Sequence, residues 1–421
     1  MPAQSLSRRA AWAEGQPISD LMATALANPQ LISLAAGFVD QQTLPVEATQ
    51  RAVEALTREP ERGRRALQYG ITPGYAPLRE RLIEQLELPA GVAPPSVQQV
   101  VITAGSNQLL HLVCESLLDP GDIVLCAAPT YLVFLGTLGN LGCRSYGVTT
   151  DRQGMIPEAL VEALERLEHE GELPRVKAIY LVPYFDNPQG VSMPRQRREA
   201  VVEIAKKWSR RHHHIHVIED AAYRLLRYQG DDIPSMWTAD EEHDTVIVAG
   251  TFSKTFSPGL RVGWGVLPPH LVTPVCNQKG NIDFGSPNFN QFIMAEVLDQ
   301  GLFLPHVEYL REAYRTKLEC MLAAAEREFA SLPGVEWVRP EGGLYVWVTL
   351  PDEIATGPGG TLQEIAMEEG VLYVPGQYCF PLEGEPAQAN TMRLSFGVPT
   401  CENIEKGMAL LARAIRRVMD A

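Results

Sequence analysis

A chain of 421 residues, 45% hydrophobic and 21% charged, can bury a substantial core and form more than one domain. Its 51 acidic residues outnumber 36 basic ones for a net charge of −15, which disfavours nonspecific binding to nucleic acid or anionic membranes. No apolar run approaches the ~20 residues needed to span a bilayer, and Arg8-Arg9 is not followed by the apolar stretch of a signal peptide.

In chain order, residues 1 to about 30 read as an arm with one short helical stretch, followed by a helix at Ala48 to Thr57. From Thr72 onward helices alternate with strands, at Val97 to Thr103, Asp122 to Ala127, Val176 to Val182, His214 to Ile218, Thr245 to Ala249 and Val262 to Val266. Repeated strand–helix units of this length imply an α/β fold, a mostly parallel central sheet with helices on both faces. A long helix at Phe303 to Phe329 leads into a smaller α+β domain with strands at Val335 to Val338, Gly343 to Val348 and Met392 to Phe396, and a last helix from Glu402. The expected division is 1–60 as arm and part of the small domain, 61–300 as the large domain and 301–421 as the small C-terminal domain. Asp231 to Asp244 and Ala355 to Thr361 read as surface loops.

Chemistry-bearing residues follow the strands. Gly105-Ser106-Asn107 forms a turn that opens a helix, where backbone amides and the positive end of the helix dipole make a phosphate site; a simple N-cap would use the same residues. Tyr131, after Ala128-Pro129-Thr130, could stack on an aromatic ring or simply pack in the core. Asn187, in Tyr184-Phe185-Asp186-Asn187-Pro188-Gln189-Gly190, lies in a tight turn and can present an amide donor. Asp220 and Tyr223, in Glu219-Asp220-Ala221-Ala222-Tyr223, stand at the carboxyl end of a strand, where open α/β sheets bind ligands. A carboxylate there can keep a pyridine nitrogen protonated, and the tyrosine can donate to a phenolic oxygen.

Lys254 is the most informative residue. It is delivered from a buried strand within Thr251-Phe252-Ser253-Lys254-Thr255-Phe256, with Arg261 seven residues on. A lysine that is buried or flanked by a cation loses proton affinity and can attack a carbonyl, the requirement for a Schiff base. Ser253 and Arg261 can complete a phosphate cradle begun by Ser106.

Taken together, a Gly-Ser turn, a tyrosine, an asparagine turn, Asp-x-x-Tyr, Ser-Lys and Arg-x-Gly in this order resemble the fold-type I pyridoxal-phosphate enzymes, specifically the class I/II aminotransferases. The resemblance runs from about Ile32 to Met419 and includes Leu67-Gln68-Tyr69-Gly70 and Asn390-Thr391-Met392-Arg393-Leu394-Ser395-Phe396. It implies pyridoxal 5'-phosphate as cofactor, and amino acids and 2-oxo acids as substrates. It also implies a homodimer in which Tyr69 reaches the neighbouring subunit's phosphate. Arg393 would bind the substrate α-carboxylate as a bidentate fork, with Gly37 and Asn187 beside it. The phrase Ile32-Ser33-Leu34-Ala35-Ala36-Gly37-Phe38 is similar to the 2-aminoadipate, aromatic and branched-chain aminotransferase branch. That branch commonly carries Gly-Gly-Leu-Pro where this chain has Ala36-Gly37-Phe38-Val39, in a loop near the substrate in relatives. The implied reaction is a ping-pong amino transfer. A β-eliminating lyase of the same fold, or a cofactor-binding sensor without turnover, are the alternatives. Tyr75, Phe38, Tyr131, Tyr378 and Phe380 hint at a pocket for large apolar or aromatic groups.

Two compositional features point away from other chemistry. His212-His213-His214-Ile215-His216 follows a basic helix and leads into a buried strand, so no metal is expected there. The seven cysteines (Cys114, Cys126, Cys143, Cys276, Cys320, Cys379 and Cys401) are scattered and odd in number. They read as reduced thiols of a cytoplasmic enzyme.

Overall fold

The β-branched runs read from the sequence form strands buried on both faces. In the computed structural model, which describes residues 6–421 apart from 14, 16, 87 and 359, every residue of Val100–Thr103, Ile123–Ala128 and His216–Asp220 is buried. Alternate side chains serve two different cores. Val124 and Cys126 pack on one face with Leu109, Val113, Ile218 and Ile247. Ile123, Leu125 and Ala127 pack on the other with Leu160, Leu164, Val201 and Ala205. Burial of this kind is what a parallel sheet sandwiched between helices requires.

The main sheet has nine strands. Along its path the order is Glu383–Gly384, Arg144–Asp151, Ile123–Ala128, Val176–Leu181, His216–Asp220, Val246–Thr251, Gly263–Val266 and Val100–Thr103, with Gly154–Met155 pairing Arg144–Asp151 off this path. The pairs from Glu383–Gly384 through Val246–Thr251 are parallel. Gly263–Val266 runs antiparallel to both of its neighbours, so Val100–Thr103 points the same way as the parallel set. The carboxyl ends of these seven strands therefore lie on one edge.

A second, antiparallel sheet is built from Glu336–Trp337, Tyr345–Thr349, Thr391–Ser395 and Val374–Pro375. Its apolar side meets the long helix Phe303–Phe329 and the helix Cys401–Met419, through residues such as Tyr314, Met321, Leu394 and Leu411. Ile32–Ser33 pairs in parallel with Val371–Leu372, fixing the following loop over the mouth of the main sheet.

Several expectations are corrected. Among its described residues the arm holds two helices, Arg8–Trp12 and Pro17–Ala27, not one; residues 1–5 lie outside the described residues. Val97–Gln99 is a 3-10 turn capped by Ser96, and the strand begins only at Val100. The strand Arg144–Asp151 was not anticipated, because its polar sequence gives no apolar run; its neighbours in the sheet decide it. Asp231 to Asp244 is not all surface: Met236, Trp237 and Asp240 are buried. There the Asp240 carboxylate accepts from the backbone N–H groups of Thr245 (2.8 Å) and Val246 (2.9 Å), tying the loop to the next strand. Thr356 in the second loop is buried too, donating to the Ala389 carbonyl at 3.1 Å.

The reduced-thiol expectation fails for Cys320 and Cys401. They form a disulfide between the long helix and the last one, while Cys114, Cys126, Cys143, Cys276 and Cys379 are free. The two positions are 81 residues apart, and helix packing alone brings their Cα atoms to 5.7 Å. Among the described residues no helix is long and apolar enough to cross a membrane, and no group of three or more His, Cys, Asp or Glu could hold a metal ion. His216 is buried at the start of its strand, with its Nε2 3.0 Å from that of His270.

Candidate active site

A cavity of about 320 Å³ lies at the carboxyl ends of the main-sheet strands. Gly37, Ser106, Asn107, Tyr131, Asn187, Asp220, Tyr223, Ser253, Lys254, Arg261 and Arg393 all line it. Motifs more than 200 residues apart meet because each follows a strand that ends at the same edge, or lies on the second sheet facing it.

Lys254 follows Val246–Thr251 and reaches across the cavity, its Nζ donating to the Gly37 carbonyl at 2.7 Å. Some of its surface faces the cavity, yet protein encloses the rest. Burial holds its pKa below the ordinary lysine value; the Tyr345 hydroxyl opposes this, and the Arg393 and Arg261 cations add to the lowering. Asp220 ends its strand fully enclosed. Burial pushes its carboxyl up to about 6, although the Tyr180 hydroxyl (3.0 Å) and the Ala222 N–H (3.2 Å) donate to it and pull the other way.

Just before the cavity-lining Ser106, Gly105 adopts φ 86 as the N-cap of Ser106–Leu117, and no side chain caps this helix. The Ser106 hydroxyl is thus not used as a cap. A Cβ at Gly105 would strike the Arg261 guanidinium, which donates to the Ala104 carbonyl at 3.0 Å and to Ser253 Oγ at 3.4 Å. Thr251 Oγ1 in turn donates to Ser253 Oγ at 2.9 Å. The result is a pocket of backbone amides, two serine hydroxyls and one guanidinium, suited to a phosphate dianion. Tyr131 stands across it, its hydroxyl donating to Asn107 Oδ1 at 3.4 Å.

Arg393 enters from the second sheet. Its guanidinium donates to Asn187 Oδ1 and to the Ala35 carbonyl, each at 2.9 Å, while its buried Nε has no partner. An unpaired guanidinium N–H in a buried site is a ready donor for a carboxylate.

Tyr69 is the exception. It is 81% exposed, does not line the cavity and touches Phe284 edge-on at 5.6 Å. Of the hinted aromatics, Phe38 and Tyr131 line the cavity. Tyr75 instead stacks on Phe292 at 3.8 Å, Phe380 belongs to a small cluster with Trp347 and Cys379, and Tyr378 packs against the cluster of Leu21, Ala35, Leu372 and Val374. Sequence reasoning missed Thr251, Tyr180 and Tyr345. Thr251 opens the quoted lysine run without a role of its own, Tyr180 lies in the strand before the asparagine turn, and Tyr345 gave no signal beyond an apolar strand.

The family profile of the aminotransferases of class I and II covers residues 29–410. Aromatic-amino-acid aminotransferase 1 of Thermococcus litoralis is 36% identical over 391 residues, spanning 92% of this chain and 89% of that one. The 2-aminoadipate transaminase of Thermus thermophilus is 34% identical over 393 residues, 93% of this chain and 91% of its own. Among solved structures, the kynurenine aminotransferase of Pyrococcus horikoshii, in complex with PMP, is similar with a TM-score of 0.89 at 33% identity, covering 99% of this chain and 98% of that one. Likeness over this span, together with a lysine presented to a cavity at the strand ends, places the chain in the class I and II aminotransferases, the pyridoxal-phosphate-dependent enzymes of fold type I.

Proposed function

We propose that this aminotransferase moves the amino group of a large apolar, aromatic or aminoadipate-like L-amino acid to a 2-oxo acid by a ping-pong cycle. The observation that carries the side-chain preference is the wall of Phe38, Tyr131, Leu132 and Val133 beside Arg393. Relatives named for aromatic amino acids, 2-aminoadipate and kynurenine support the same class.

The cavity fits the cofactor by its donor set. The Gly105 turn, where a Cβ would fill the space beside Arg261, suits the phosphate, and the buried Asp220 carboxylate suits the ring nitrogen. When bound, pyridoxal phosphate supplies a reactive carbonyl carbon and an electron-withdrawing ring that stabilises negative charge at the substrate α-carbon.

This chain's residues then have separate tasks. Ser106, Ser253 and Arg261 hold the phosphate, with Gly105 and Asn107 shaping the turn. Asp220 holds the proton at the ring nitrogen, and Tyr180 keeps the carboxylate oriented. Tyr131, which lines the cavity, would cover the ring face. Asn187 accepts from Arg393 through its oxygen, which leaves the amide nitrogen as a donor toward the ring oxygen, alongside Tyr223. Arg393 would grip the substrate carboxylate with the guanidinium N–H groups not spent on Asn187 and Ala35, and Gly37 leaves room beside it. Lys254, with its proton affinity lowered by burial, would hold the cofactor through its amine and, when that amine is free, would move the proton at the substrate α-carbon.

The exposed Tyr69 supports a homodimer, in which it would reach the partner's phosphate. Leu67, Ile71, Ile282 and Phe284 are exposed apolar side chains close to it in sequence or contact. Residues 61–300 would form the cofactor domain, and 301–421 with the first 60 residues the remainder. A cytoplasmic location belongs to the same reading.

A visible titration tests it. Protein loaded with pyridoxal phosphate receives single amino acids without acceptor. Loss of the cofactor's visible band, restored by 2-oxoglutarate or pyruvate, is expected and ranks the donors. Pyruvate and ammonia accumulating with the band retained would make the chain a lyase instead.

A further inference from the structure

The second sheet contributes more to the cavity than Arg393. Tyr345 and Ser395 are opposite each other in the antiparallel pair, as are Trp347 and Arg393. Tyr345 is therefore the diagonal, same-face neighbour of Arg393, within reach of a long side chain. The Arg393 guanidinium lies over the Tyr345 ring, 4.4 Å from its centroid. This is a cation–π contact in a buried setting, where it is strongest.

The far end of the same ring meets the main-sheet side of the site. Its hydroxyl is 3.1 Å from that of Tyr223, and both residues are buried. It also sits against Gly37, where a Cβ would lie 2.9 Å from it. The Gly37 carbonyl is the acceptor for Lys254.

We propose that Tyr345 is a further positioning residue of the amino-transfer site, its ring supporting the Arg393 fork and its hydroxyl donating to Tyr223. The proposal rests on the reading of Arg393 as the carboxylate fork and Tyr223 as a donor to the cofactor ring. Tyr223 has one hydroxyl proton. If it donates to the ring oxygen, it accepts from Tyr345, and a chain of donors polarises each member to donate more strongly. Tyr345→Phe removes this support and leaves the ring under Arg393. Tyr345→Leu removes both.

The test uses the holoenzyme of Tyr345→Phe, Tyr345→Leu, Tyr223→Phe and the Tyr223→Phe/Tyr345→Phe double variant, with melting of each to confirm folding. The first readout is the pH midpoint of the cofactor's visible band. Tyr345→Phe is expected to raise it by about 0.5 pH unit, the worth of one hydrogen bond. Tyr223→Phe raises it further, and the double variant matches Tyr223→Phe. The second readout is the amino donor's KM, expected to rise about tenfold more in Tyr345→Leu than in Tyr345→Phe. A Tyr345→Phe shift that survives in full in the Tyr223→Phe background would overturn the proposal, as would no shift where Tyr223→Phe gives one. Equal donor KM in the two Tyr345 variants would overturn the ring's part. Failure of the underlying reading looks different: Tyr223→Phe alone would leave the midpoint in place, or Arg393→Lys would leave the donor KM unchanged, and the matching half of the proposal falls with it.

Discussion

Arg393 donates to the Asn187 side-chain oxygen at 2.9 Å across 206 residues of sequence. Each residue arises from its own motif on its own sheet, and this one contact joins the turn beside the cofactor to the arm of the substrate fork. The same bond spends the asparagine oxygen on the arginine, so orientation of the two groups is mutual. Loss of either disturbs the other.

Replacing Arg393 by lysine keeps the charge but loses the planar fork, two of whose nitrogens are already committed to Asn187 and Ala35. A point charge on a flexible stem cannot satisfy both acceptors and a carboxylate together. The expected loss in kcat/KM for the amino donor is on the order of 10²-fold, expressed mainly in KM. Steady-state kinetics with one donor and one acceptor give the answer; an unchanged KM would remove the arginine from substrate binding.

Lys254→Ala is expected to lower amino transfer by about 10³-fold or more, since both covalent attachment and α-proton movement are lost. Added cofactor would still bind at the phosphate pocket, without the visible band of the attached form. Absorbance and equilibrium dialysis on the same sample separate the two effects. A variant that retains normal turnover would exclude Lys254 as the reactive amine.

Asp220 links activity to stability with a definite sign. Its carboxyl titrates at about 6 in the folded, cofactor-free chain against 3.8 unfolded. The fold thus favours the protonated form. That contribution is fully present below pH 3.8 and is lost as pH rises through about 6, a change of about 3 kcal/mol. Asp220→Asn removes the titration. Cofactor-free Asp220→Asn should match the parent near pH 4 and exceed it in stability by up to about 3 kcal/mol at pH 7.5, while amino transfer falls. Denaturant melts at both pH values check this, and parallel profiles for the two proteins would refute it.

At Gly105 the backbone is at φ 86, and the guanidinium of Arg261 occupies the space of a side chain. Gly105→Ala is expected to cost about 1–3 kcal/mol in stability from the backbone alone, since φ 86 with ψ 161 is a conformation essentially confined to glycine. Cofactor affinity should fall as well, because Arg261 must move away from Ser253. Fluorescence titration with pyridoxal phosphate and a thermal melt report the two separately.

The Cys320–Cys401 disulfide closes a loop of 81 residues between two packed helices. Chain entropy assigns such a closure about 4 kcal/mol. A Cys401→Ser variant, or the parent under reductant, should lose roughly 2–4 kcal/mol of stability and keep the cofactor's spectral midpoint. An identical melt with and without reductant would show that the bridge adds nothing.

The strands that Ser106, Asn187 and Lys254 follow, and the one that Asp220 ends, were legible because a parallel strand buried on both faces needs a continuous apolar run. Arg144–Asp151 was not, since Arg-Ser-Tyr-Gly-Val-Thr-Thr-Asp takes its place through hydrogen bonds to neighbours and not through its own pattern. The buried 3-10 turn at Met236–Ala239 escaped for a related reason: its polar flanks hide a tryptophan that only the packed structure accounts for. Tyr69 remained a matter of family likeness, because its side chain is exposed and does not line the cavity of its own chain.

By itself the sequence determined the chemistry on offer. A lysine, an aspartate, two serines and an arginine at strand ends or in the turns beside them are local facts, set by where each apolar run stops and a turn begins. Tertiary structure decided which of these groups touch. The Arg393–Asn187 bond, the Tyr345–Tyr223 contact and the Cys320–Cys401 bridge each join elements far apart in the chain. Their geometry depends on how one sheet or helix packs against another, and local propensity carries no record of that.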